Sequence, residues 1–138
     1  MTVLVYVLTV LAAVVVVLTR VRLGGSRAAG SLQVGRRLLD VHTVAGVLAL
    51  LVWTVFLIAG DDTALGGSNA GIVAIGLWWI VALAGLAILL RWMPVRGKHA
   101  AAGAGDTWSQ GPWLSLLAHL GMGVGVGVFT WAYLTQVV

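Results

Sequence analysis

The sequence predicts an all-α membrane protein, a four-span up-down helix bundle with both termini on the outer side. Three observations lead there. Of 138 residues, 61% are hydrophobic and only 9% are charged, where a soluble domain carries about 25% charged residues. The mean hydropathy is +1.08. The basic residues also fall between apolar runs rather than within them. A water-soluble globule, a disordered tail and a nucleic-acid-binding domain are excluded on these grounds, and the net charge of +4 is a loop property rather than a binding footprint.

A transmembrane helix needs about 20 mostly apolar residues. Four runs are of that kind: Thr2 to Thr19, Leu38 to Ala59, Gly71 to Leu90 and Trp113 to Gln136. They make one domain over residues 1–138. In lipid each is expected to be helical, because open strands would leave backbone groups unpaired, and the valine-rich first run is no exception. That run has no basic segment before it; Arg20 and Arg22 follow it instead, so it reads as a retained span rather than an export signal.

The loops set the expected orientation. The first carries Arg20, Arg22, Arg27, Arg36 and Arg37, the second only Asp61 and Asp62, and the third Arg91, Arg96 and Lys98 against Asp106. Positive loops stay in the cytoplasm, which puts loops one and three inside and loop two with both termini outside. Trp92, Trp108 and Trp113 then mark the inner boundary, and Trp131 and Tyr133 the outer one. The expected location is the bacterial cytoplasmic (inner) membrane, crossed several times. Pro94 is expected to end span three, and Pro112 to occupy the first turn of span four, where its missing N–H costs nothing.

Few residues can carry chemistry. Cysteine and glutamate are absent, so thiolate sites and disulfides are excluded. No phosphate-binding loop is present and the one carboxylate within a span, Asp40, is its third residue, which argues against nucleotide chemistry and the usual cation pathway. Of three histidines, His99 lies in loop three and reads as solvated. His42 lies about five residues into span two and His119 about six into span four. Both spans run outward, so the rings lie at similar depth, roughly 8–9 Å from the inner helix starts. Spans two and four are diagonal partners in an up-down bundle. Two imidazoles at one depth on diagonal helices suit a bis-histidine haem.

His42 shares its helix face with Ala45, Gly46, Ala49 and Trp53, and His119 with Ser115, Met122, Gly123, Val126 and Thr130. Small side chains there leave room for a planar macrocycle. Arg36 and Arg37, a turn or more below His42, are placed to pair with haem propionates. Asp40 points to another side than His42 and is a poor partner for it. An alternative reading of the same residues is close helix packing, with Gly46 on span two and Gly121, Gly123, Gly125 and Gly127 on span four as the small contacts. A copper site of His42, His119 and Met122 is a third.

With His42 four residues before Gly46, and with Ala118-His119-Leu120-Gly121 in span four, the chain resembles four-helix membrane b-type cytochromes: the cytochrome b561-like proteins and one half of the haem A synthase family. The resemblance covers the four-span layout and these two short motifs. It implies haem b held by bundle histidines. The chain departs from the pattern in having one histidine pair instead of two.

Two functions are therefore expected: a haem b protein passing single electrons at the cytoplasmic leaflet, or a non-catalytic accessory or assembly subunit of a larger membrane complex. Neither needs a catalytic residue. The expected partners are membrane lipids and other membrane subunits or a second copy, not nucleic acid.

Overall fold

The computed structural model describes residues 2–25, 36–92 and 112–138. All regular structure among them is helical: α1 (Thr2–Gly25), α2 (Arg36–Ile58), α3 (Ser68–Trp92) and α4 (Pro112–Leu134). Three stretches are long and apolar enough to cross a membrane, namely Asp40–Ile58, Ser68–Leu90 and Leu117–Leu134, and a shorter apolar helix runs over Thr2–Val17. The chain is a helical membrane protein. The basic stretches around Arg27, Arg96, Lys98 and His99, on which the expected orientation partly rests, lie outside the described residues.

The helices differ from the expected spans mostly at their ends. Helix α1 continues past Thr19 to Gly25, and α3 begins at Ser68, three residues before Gly71. The earlier start follows from loop chemistry. Thr63 N–H donates to the Gly60 carbonyl (2.9 Å), and Thr63 Oγ1 donates to the same oxygen (2.8 Å) while accepting from Gly66 N–H (3.0 Å). Gly67 N–H donates to Thr63 O (3.0 Å), which turns the chain directly into α3. Gly66 has to be glycine, because a Cβ there would run into the carbonyls of Ala59 and Gly60. Pro112 is the first residue of α4, where a proline's fixed φ suits the helix start.

Helix α3 lies between α2 and α4 and packs most extensively on α2, while α1 touches α2 and α4 more sparsely. The core is strongly graded along the bundle. Toward the α2–α3 loop, Trp53, Trp78 and Phe129 are fully buried or nearly so. Phe129 stacks obliquely on both indoles, with centroids 4.9 Å from Trp53 and 5.4 Å from Trp78. Phe56 and Tyr133 extend the cluster to the end of the bundle. Toward the other end the core residues are Ala45, Ala49, Val81 and Val126.

Two similar staples fix neighbouring helices. Trp53 Nε1–H donates to Thr9 Oγ1 (3.1 Å), and that hydroxyl donates to Val5 O (2.8 Å), joining α2 to α1. Trp79 Nε1–H donates to Thr130 Oγ1 (3.1 Å), which donates to Val126 O (2.8 Å), joining α3 to α4. In each case the threonine returns its proton to the carbonyl one turn back, so its oxygen is free to accept the indole N–H.

Candidate intramembrane histidine site

His42 sits six residues after the start of α2, His119 seven after the start of α4, and Gly85 seven before the end of α3. At 1.5 Å per residue all three lie about 10 Å from the same end of the bundle. The structure brings them together. A Cβ added to Gly85 would stand 3.0 Å from His42 Cε1 and 3.0 Å from His119 Cδ2, with His119 Nε2 at 3.4 Å. The two ring carbons are therefore separated by no more than twice 3.0 Å. The diagonal histidines converge on the backbone of the helix between them, where any side chain would crowd both rings.

His42 is further fixed by a hydrogen bond. Its Nδ1 lies 3.1 Å from the carbonyl oxygen of Val81, one turn before Gly85. A carbonyl can only accept, so Nδ1 carries the proton and the lone pair of the ring is on Nε2. Backbone orientation of this kind is what sets which imidazole nitrogen is offered to a metal. The carbonyl fills the role for which Asp40 was judged unsuitable, and Asp40 is exposed.

Of the small face expected on α2, Ala45, Gly46, Ala49 and Trp53 are buried. Gly46 makes ordinary contact, with an added Cβ 3.9 Å from Val81 Cγ2. On α4, Val126 is buried and Met122 packs against the core, whereas Gly123 is exposed. An added Cβ at Gly121, Gly123, Gly125 or Gly127 would meet nothing within 4 Å. Close helix approach at those four positions is thus not made within this chain. It occurs at Gly71 and Gly85 of α3 instead, and at Gly71 the ring of Tyr133 occupies the place of a side chain. Arg37 is exposed at the start of α2, and the Arg36 side chain lies outside what is described.

Gly85 and the Val81 carbonyl were missed in the sequence. Gly85 has a sequence signal: it is the α3 residue at the depth of both histidines. The carbonyl has none, since every residue carries one. Among the described residues no group of three or more His, Cys, Asp or Glu side chains is placed to hold a metal ion. No protein-family model matches the chain, and no curated protein or solved structure matches it either.

Proposed function

We propose that this membrane protein binds one haem b through His42 and His119 and passes single electrons, with a partner protein, at the cytoplasmic leaflet of the bacterial inner membrane. The observation that carries the reading is the convergence of both imidazoles on Gly85. His42 Cε1 and His119 Cδ2, each 3.0 Å from the position of a Gly85 Cβ, lie within twice that distance of one another, so the two rings could together hold one iron. Bound there, the haem supplies one-electron exchange at its iron. The Val81 carbonyl holds His42 with Nε2 available as ligand. Arg36 and Arg37, at the start of α2, are the residues to receive the propionates. We assign no catalytic activity to the chain itself.

The test is an optical spectrum of the detergent-purified protein, oxidised and then reduced with dithionite. A Soret band that shifts on reduction, with sharp α and β bands, is expected. His42→Ala and His119→Ala should each remove it. A variant that keeps the low-spin spectrum would falsify the ligand assignment.

A second reading, an accessory or assembly subunit, is favoured by one observation. Gly121, Gly123 and Gly127 are exposed without a neighbour, beside exposed Leu117, Leu120 and Val124. Small residues on an open helix face let another helix approach closely. Leucine at these glycines should then break a complex while leaving the monomer folded; unchanged co-purification with partners removes the support for this reading.

A further inference from the structure

At the end of the bundle far from the histidines, the α2–α3 loop and the residues after α4 line an open pocket of about 700 Å³. Small-molecule sites commonly have volumes of about 300–1,000 Å³. Its walls include Phe56, Asp61, Gly67, Ser68, Tyr133 and Gln136. They are held in place. Tyr133 Oη–H donates to Ser68 O (2.9 Å), Thr2 Oγ1 donates to Val137 O (3.3 Å), and Gln136 N–H and Val137 N–H donate to Tyr133 O and Ala132 O. Those last two bonds form the helix-ending turn in which Gln136 takes φ 54°.

The chemistry of the lining is selective. Among the described residues no Lys, Arg or His lines the pocket, and the exposed Asp61 is its acidic residue. Phe56 and Tyr133, edge to face with centroids 5.9 Å apart, line the same pocket. A carboxylate beside aromatic rings attracts a cation with an apolar body, through charge and through the ring quadrupole. Leu134, 71% exposed, forms part of the rim at the end of an apolar helix. An amphiphile's tail has a path there into the surrounding lipid.

We propose that this cavity is a binding site for a protonated amine headgroup. The amine pairs with Asp61 against the Phe56–Tyr133 rings. It is carried by an aminoethyl phospholipid or by a free amine of the same chemistry. The site is separate from the histidine pair: Phe56 is fourteen residues beyond His42 on α2, about 21 Å along the helix.

The test uses the full chain in detergent, with an equimolar mixture of dioleoyl phosphatidylethanolamine and dioleoyl phosphatidylglycerol, read by native mass spectrometry. The wild-type protein should retain the ethanolamine lipid over the glycerol lipid about tenfold, equivalent to about 1.4 kcal/mol. Asp61→Asn should bring the ratio close to one. Asp62→Asn should leave it unchanged, because Asp62 is the neighbouring exposed acid and does not line the cavity. Ethanolamine added in solution separates the sources: displacement of the lipid assigns recognition to the amine alone, and retention assigns it to the lipid-borne headgroup. No preference in the wild type, or equal loss in the two aspartate variants, overturns the proposal.

Discussion

The two halves of the bundle are built on opposite principles. Near the α2–α3 loop, the space between helices is filled by Trp53, Trp78, Phe129 and Phe56, and polar atoms of Trp53 and Trp79 are tied to threonines on neighbouring helices. Near the other end, alanine, valine and glycine line much of the core beside Leu89 and Met122, and His42 and His119 converge there on Gly85. In lipid, helix association relies on packing and on interhelical hydrogen bonds rather than on expulsion of apolar surface from water. The aromatic half supplies both. The histidine half forgoes bulk, and a half that forgoes bulk around two convergent imidazoles is the one suited to a ligand. The bulk of the aromatic packing and the proposed haem site thus fall at different ends of the same four helices.

That division can be broken from either side. The largest effect is expected at Gly85. Gly85→Leu should abolish the haem spectrum while circular dichroism keeps its helical signature, because the new side chain enters the space 3.0 Å from both rings; an intact Soret band in this variant would separate the histidines from haem binding. Trp53→Ala should do the reverse. It removes a fully buried indole and should lower unfolding stability in detergent by about 3 kcal/mol, with the spectrum of the remaining folded protein unchanged. Loss of haem from a folded Trp53→Ala protein would show that the halves are coupled.

Smaller effects sharpen the comparison. Thr9→Val deletes the acceptor for the Trp53 indole inside the core and should cost about 1 kcal/mol in the same unfolding measurement. Thr130→Val deletes the matching acceptor for Trp79, which is 43% exposed, and should cost about 0.5 kcal/mol. Equal costs would mean that burial does not set the strength of these staples.

Much of the fold was legible because its cause is local. A run such as Leu38 to Ala59 has to be helical in lipid whatever surrounds it, so composition and length suffice. Pro112 at the start of α4 and the similar depth of His42 and His119 are likewise matters of spacing along single helices. The glycines of α4 show where such reasoning stops. Their spacing matched a packing motif, yet among the described residues nothing lies within 4 Å of where their side chains would begin, and Gly121, Gly123 and Gly127 are exposed. Spacing gives the face of a helix but not what stands opposite it. The Trp53–Thr9 bond was hidden for the same reason, since residues 44 positions apart in the chain meet only once α1 and α2 are side by side.

The sequence by itself therefore determined the solvent and the secondary structure: long apolar runs with basic residues only between them make a helical membrane protein, because a helix pairs the backbone polar groups within each run. It also determined which depth carries the ionisable side chains. Tertiary structure alone decided the rest. It placed Gly85 against the two imidazoles, gave His42 the Val81 carbonyl as its partner, and formed the Asp61 pocket between the α2–α3 loop and the residues after α4. These outcomes depend on the rotation of each helix about its own axis, and that rotation is set by how indoles, threonines and glycines from different helices fit together.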